Sequence, residues 1–243
     1  MLILATDSTA IAASVALCED ERLLACYTLQ NGNTHSETLL PMVKSVLDAF
    51  SLRPDDISVF ACSYGPGSFT GVRIGASTIK GLAFGTSIPC IGVSTLEALA
   101  YNLIGYDGLL CPVMNARRSQ VYNAIFRCQD GVLTRLCDDR AIPIAQLCQE
   151  LMELEPTLPV YLTGDGYDIT YPALSALGDR LRPTPVAQRP QSAYSVAQIA
   201  RKQYEAGERT SDVDMVPVYL RPCQAERERM ERLAQEAEQK QEK

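Results

Sequence analysis

Apolar runs and breaks follow one order twice along this 243-residue chain. Residues 2–5, 12–17 and 23–27 are short apolar runs separated by turn-forming Asp, Ser, Thr and a Glu-Asp-Glu triplet, the pattern of three strands joined by tight turns. Leu39, Leu40, Met42, Val43, Val46, Leu47 and Phe50 then recur at helical spacing. Thr34 and Glu37 are spaced for a capping box, and Pro41, lacking an N–H, predicts a bend or a late start. Residues 57–62 read as a fourth strand, stopped by Tyr64-Gly65-Pro66-Gly67. A glycine-rich second helix over 68–84, a fifth strand over 88–93 and a third helix from Ser94 to near Gly105 complete the first set. After Tyr106-Asp107-Gly108 come runs at 109–114, 121–126 and 132–136, a helix over 143–154 and a strand at 160–163, with further helices near 171–177 and 193–204. Such a duplication predicts two like-folded α/β lobes facing each other across a cleft, each a mixed sheet flanked by helices. The expected division is 1–105 and 106–222, with 223–243, rich in Gln, Glu, Arg, Lys and Ala, as an exposed charged helical tail.

Charge and residue counts narrow the function. Lys plus Arg total 22 against 29 Asp plus Glu, a net charge of −7, so the overall field repels phosphate backbones and argues against a free-standing nucleic-acid binder. Nine cysteines without a C-x-x-C pair fit neither a disulfide framework nor a zinc site; they read as small buried hydrophobes in a reducing cytoplasm. The N-terminus lacks a basic region and no run approaches the roughly 18 apolar residues of a membrane span, so a cytoplasmic, membrane-free chain is expected. His35 is the only histidine, which removes any mechanism that needs two imidazoles from this chain.

Several clusters carry potential chemistry. Asp7-Ser8-Thr9 places a carboxylate and two hydroxyls after the first strand, where they form an ordinary turn or hold a phosphate with a metal ion. Gly65-Pro66-Gly67-Ser68-Phe69-Thr70-Gly71 is followed by Val72-Arg73 and not by the Lys-Ser/Thr of a phosphate-binding P-loop, so it reads as a rigid turn with Ser68 or Thr70 capping the next helix. Gly71 and Gly75 lie one turn apart, and because each interior glycine costs a helix about 1 kcal/mol, a compensating close backbone approach is expected. The expected neighbour is another helix. Arg73 and Lys80 on the same helix read as a solvated face, and His35 as a capping or interface residue. Asn115-Ala116-Arg117-Arg118 and Gly164-Asp165-Gly166 fall where cleft loops would be.

Taken together, Leu4-Ala5-Thr6-Asp7-Ser8-Thr9, His35-Ser36-Glu37 with Leu39-Leu40-Pro41, Gly65 through Gly75, Lys80-Gly81-Leu82-Ala83, Gly92 through Leu99 and Pro217-Val218-Tyr219-Leu220-Arg221 resemble the TsaB (YeaZ) family over nearly the whole chain. The resemblance implies an actin/Hsp70-like (ASKHA) duplicated two-lobed fold. It also implies a non-catalytic subunit, a pseudoenzyme with no cofactor, of the complex that makes N6-threonylcarbamoyladenosine in tRNA. Such a subunit pairs with the catalytic paralogue TsaD, with TsaE in the larger complex, forms a homodimer when alone, and meets tRNA only through the complex, where Arg117-Arg118 offers a local basic patch. The paralogue's metal-binding His-x-x-x-His falls at Thr95 and Leu99 here, and a hydroxyl and a leucine cannot replace two imidazoles. The family's usual Asp-Ala-Arg-Arg begins with Asn115 in this chain. On this reading the partner interface is formed by His35, Leu39, Val43, Phe69, Gly71, Val72, Gly75 and Ile79, and the nucleotide-proximal residues are Asp7, Ser8, Thr9, Arg117, Gly164 and Asp165. The rival reading is an independent small-molecule kinase or ATPase of the same fold class, with Asp7 orienting its metal.

Overall fold

A computed structural model describes residues 1–221 and Arg232; the rest of the expected tail over 223–243 lies outside the described residues. The first half supplies β1 (Leu2–Asp7), β2 (Ala13–Glu19), β3 (Arg22–Leu29), α1 (His35–Ala49), β4 (Val59–Gly65), α2 (Phe69–Ala83), β5 (Cys90–Ser94) and α3 (Thr95–Tyr101). Its sheet runs β3-β2-β1-β4-β5, antiparallel through the first three strands and parallel from β1 to β5. The second half supplies β6 (Gly108–Asn115), β7 (Gln120–Asn123), β8 (Phe126–Gln129), β9 (Val132–Arg135), β10 (Arg140–Pro143), α4 (Ile144–Glu153), β11 (Val160–Thr163), α5 (Tyr167–Thr170), a 3₁₀ segment (Pro172–Arg180), β12 (Leu181–Arg182) and α6 (Ala193–Glu205). Its main path, β10-β7-β6-β11-β12, repeats the first in both strand order and direction. The duplicated α/β class is therefore present as a repeated topology.

Side-chain alternation explains the layering. On β1, Leu4 faces α1 and α2, joining Leu39, Val43, Val46, Ala76 and Ile79, while Ile3 and Ala5 face the opposite side. A strand buried on both faces reads as a near-continuous apolar run, as Leu2 to Ala5 does before the strand ends in the buried polar Thr6 and Asp7. The opposite face is covered by α6 through Ala193, Val196, Ala197, Ile199 and Ala200. The last helix thus returns to the first sheet: the second face of β1, β4 and β5 needs cover, and small residues on α6 provide it. The helix α3 serves both halves, with Ala98 packed on the first sheet and Leu96, Leu99 and Ala100 on the second. Arg135 adds a polar tie, pairing with Glu97 at 3.1 Å and Asp139 at 2.6 Å while Ser94 donates to Asp139.

Three local expectations change. The run 121–126 breaks at Ala124-Ile125 into β7 and β8, and the run at 132–136 is β9, paired with β8 as an inserted hairpin. The counterpart of the third strand is β10, whose Arg140 and Pro143 disguise it as a loop. At the start of α1, Thr34 makes no side-chain cap; its hydroxyl meets Ser36 at 3.1 Å instead, and the helix runs without a break through Pro41.

The glycines of α2 have a neighbour inside the chain. A Cβ on Gly71 would overlap the Ser8 carbonyl oxygen, and one on Gly75 would come within 2.7 Å of Ser8 Oγ. The expected helix partner for this stripe is replaced by the chain's own β1–β2 turn. Gly81, in contrast, faces open space. Gly71→Ala should therefore destabilise the protein by about 1–3 kcal/mol through overpacking against backbone, whereas Gly81→Ala should gain about 0.5–1 kcal/mol of helix propensity. Denaturant titration of the two variants checks this contrast, and equal effects would contradict the packing described.

Candidate functional site: the cleft between the sheets

A cleft of about 720 Å³ opens between the β1–β2 turn, the start of α2 and the loops after β6 and β11. Thr9, Arg117 and Asp165 line it, together with Ser68, Asn115 and Arg221. Asp7 and Ser8 lie behind Thr9, each 1% exposed, and Gly164 is buried beneath Asp165 against the Val113 carbonyl. The β1–β2 turn is fixed by reciprocal bonds: Ser8 Oγ donates to the Gly71 carbonyl at 2.9 Å, Ser68 N donates to the Thr9 carbonyl at 2.7 Å, and Ser68 Oγ caps α2 by accepting from Gly71 N at 3.3 Å. His35 donates from Nε2 to the Ala10 carbonyl at 2.6 Å, tying the start of α1 to the same turn.

Asp7 is the hub. Its Oδ1 accepts from Thr9 N at 2.9 Å and from Thr9 Oγ1 at 2.7 Å, and its Oδ2 accepts from Ser63 Oγ. Burial drives its pKa above the ordinary value of 3.8, and the three hydrogen bonds only partly oppose that. A carboxylate wrapped in this way holds a turn together, with three of its roughly four acceptor positions already engaged inside the chain. Asp165, exposed where it lines the cleft, accepts from Asn115 N at 3.2 Å, and its carboxyl is also pushed up, mainly by desolvation and to a smaller degree by the charge of Asp7. Asn115 Oδ1 accepts from Arg117 N at 2.8 Å, so the amide that replaces the expected carboxylate forms a local turn.

The cleft wall also contains a segment to which sequence reasoning gave no role. After α6 the chain bridges β5 through Thr210, buries Met215 in the first core, and donates from Val218 N to the Tyr64 carbonyl at 2.8 Å. Tyr219 then packs on Phe69 with ring centroids 4.9 Å apart, and Arg221 reaches the second half, donating to the Ala116 carbonyl at 2.9 Å. The run Pro217-Val218-Tyr219-Leu220-Arg221 was visible as a motif, but nothing in its spacing reveals a strap that crosses between sheets.

The expected interface residues are dispersed. Leu39, Val43, Val72 and Ile79 are at most 1% exposed in the core of this chain, and Gly71 and Gly75 lie against Ser8. Only His35 and Phe69 of that set reach the surface in part, because the apolar stripe of each helix faces its own sheet. What α1 presents outward is Leu40, 55% exposed, in a shallow groove with Pro41, Lys44, Ser45 and Asp48. Thr95 and Leu99 are buried where α3 joins the halves.

The family model described as TsaD: tRNA N6-adenosine threonylcarbamoyltransferase matches residues 30–214. The chain is 37% identical over 153 residues to the tRNA threonylcarbamoyladenosine biosynthesis protein TsaB of Bacillus subtilis (strain 168), covering 63% of this chain and 67% of that protein. It is 35% identical over 155 residues to the protein of the same name from Escherichia coli (strain K12), with the same coverage of each. Among solved structures, YeaZ from Pseudomonas aeruginosa superposes with a TM-score of 0.73 at 25% identity, over 90% of this chain and 99% of that one.

The raised pKa of Asp7 makes the stability of the fold depend on pH. Because the folded state holds this proton more tightly than the unfolded state, Asp7 contributes a destabilisation that is absent below pH about 3.8 and grows as the pH rises through the folded pKa. Asp7→Asn keeps the acceptor for Thr9, can donate to Ser63, and carries no charge. Its melting temperature relative to the unsubstituted protein should therefore be higher at pH 7 than at pH 4. Thermal melts at the two pH values test this, and a difference that shrinks with rising pH would refute the burial argument.

Proposed function

The chain belongs to the TsaD family, on its TsaB (YeaZ) branch, and from that premise we propose that it serves tRNA threonylcarbamoyladenosine biosynthesis as a non-catalytic subunit. The observation that carries this reading is the enclosure of Asp7: the carboxylate best placed for phosphate chemistry is committed to Thr9 and Ser63. The kinase or ATPase reading requires that carboxylate to be free. Thr95 and Leu99, at the positions where the resemblance places the catalytic paralogue's histidines, are 0% and 1% exposed and offer no imidazole.

The partner is a TsaD-type catalytic subunit, and the contact is the outer face of α1 and α2. The inner face of each helix is already used by its own core. Leu40, in its groove with Pro41, Lys44, Ser45 and Asp48, marks that outer face. The same face pairs two copies of this chain when the partner is missing, since a patch suited to a paralogue also suits itself. TsaE joins the larger assembly, and tRNA is met in that assembly. The setting is the cytoplasm, consistent with free, buried thiols at Cys18, Cys62, Cys90, Cys111 and Cys128.

Leu40→Glu is the direct test, because it alters the surface and leaves the core intact. Burial of a leucine side chain stabilises a contact by roughly 1.5–3 kcal/mol, so the variant should pair with the TsaD-type protein of the same genome at least about tenfold more weakly in calorimetric titration, with an unchanged melting temperature. Undiminished pairing would reject this face, and failure of the unsubstituted chain to pair would reject the subunit reading.

A further inference from the structure

The loop after β6 adopts a conformation that its residues disfavour. Arg117, Arg118 and Ser119 have φ values of 62°, 54° and 57°, three successive left-handed residues without a glycine. The loop is held there by Asn115 Oδ1 accepting from Arg117 N, by Gln120 N donating to the Arg117 carbonyl at 3.1 Å, and by Ile144 N donating to the Ser119 carbonyl at 3.1 Å. Both arginines are exposed, and among the described residues nothing accepts from either guanidinium. Left-handed strain of this kind persists only where the surrounding structure enforces it, and it clusters where a side chain must be presented to a ligand.

The neighbours match in charge and shape. Arg221 crosses from the strap to the Ala116 carbonyl, beside the two arginines. Two residues earlier, Tyr219 packs on Phe69, and the Arg73 guanidinium lies 3.9 Å from the Phe69 ring centroid while its Nε donates to Tyr219 Oη at 2.9 Å. Arg117 and Arg221 therefore line the cleft together with Phe69 and Tyr219, Arg118 follows Arg117 in the same exposed loop, and Arg73 stacks on the lining Phe69, on a chain whose net charge is −7. Asp165 lines the same cleft, and a carboxylate there disfavours an anion beside it. Arginine beside aromatic faces is the composition that follows a polyribonucleotide, guanidinium to phosphate and ring to base.

We propose that this arginine cluster, led by Arg117 and Arg118, contacts the phosphodiester backbone of tRNA. The proposal rests on the subunit reading above and gives the tRNA a specific surface on this chain. A chain of net negative charge with a local cluster of arginines positions RNA weakly by itself and more strongly beside a partner that also binds it.

The test is fluorescence anisotropy with an in-vitro-transcribed tRNA, titrated with the full chain alone at low salt and with its mixture with the TsaD-type partner, each in the presence and absence of ATP as competitor. The variants are R117N/R118N, in which asparagine suits the left-handed backbone, and R117K/R118K, which keeps the charge. The asparagine pair should weaken tRNA binding roughly tenfold and lower the slope of log affinity against log salt by about 1 to 2, with partner binding unchanged; the lysine pair should stay within about threefold. Unmoved tRNA affinity in the asparagine pair, or no tRNA binding by the unsubstituted protein in either setting, would overturn the proposal. ATP binding that is lost in the variant while tRNA binding is kept would reassign the cluster to a free nucleotide, and weakened pairing alone would reassign it to the protein partner. If the unsubstituted chain does not pair at all, the subunit reading falls, and the titration of the isolated chain still decides the role of the cluster.

Discussion

Backbone seated on backbone organises the first half of this molecule. The β1–β2 turn presses its Ser8 carbonyl against α2 where Gly71 has no side chain, and it passes Gly67 and Gly75 at similarly short range. Interior glycines cost a helix about 1 kcal/mol each, and here the compensation is intramolecular: two turns of α2 lock onto the end of the central strand. The lock fixes Thr9, which in turn supplies two of the three donors around Asp7. The close approach, the buried carboxylate and the cleft wall are thus one construction. A side chain at Gly71 would disturb all three.

The two sheets are joined on the same economical terms. The helix α3 lends one face to each, α6 crosses back to cover the first, and the strap from Thr210 to Arg221 stitches the edge of β5 to the loop after β6. Asn102 adds to the seam by donating to the carbonyls of Gln188 and Pro190 while accepting from Ser195 Oγ at 2.6 Å. A cleft braced from several sides has well-defined walls, which suits a component that presents a fixed surface to partners.

Where local pattern and tertiary packing agree, the sequence was readable. The five strands and two long helices of the first half stand out because their apolar residues alternate or recur at helical spacing, and the same rhythm in the second half pointed to a duplicated fold. β10 was hidden because Arg140 interrupts its apolar pattern and pairs with Glu150. The glycine stripe correctly signalled a close approach, yet spacing could not say that its neighbour was Ser8 of the same chain. The buried set Leu39, Val43, Val72 and Ile79 shows the complementary difficulty. Apolar periodicity marks the face that meets the chain's own core, and exposed apolar residues such as Leu40 stand outside that pattern. The strap and the three left-handed residues at Arg117, Arg118 and Ser119 are long-range and conformational facts that carry no periodic signal.

In the proposed role, Asp7 holds structure and performs no chemistry. Reconstitution of tRNA threonylcarbamoyladenosine formation with the TsaD-type partner and Asp7→Asn in place of the unsubstituted chain measures this most directly. Modification at a rate within about twofold of the unsubstituted reaction is the outcome expected when the carboxylate only anchors a turn. A collapse of the rate in a variant that still folds and still pairs would show that the carboxylate takes part in the reaction, and would contradict a purely structural role for Asp7.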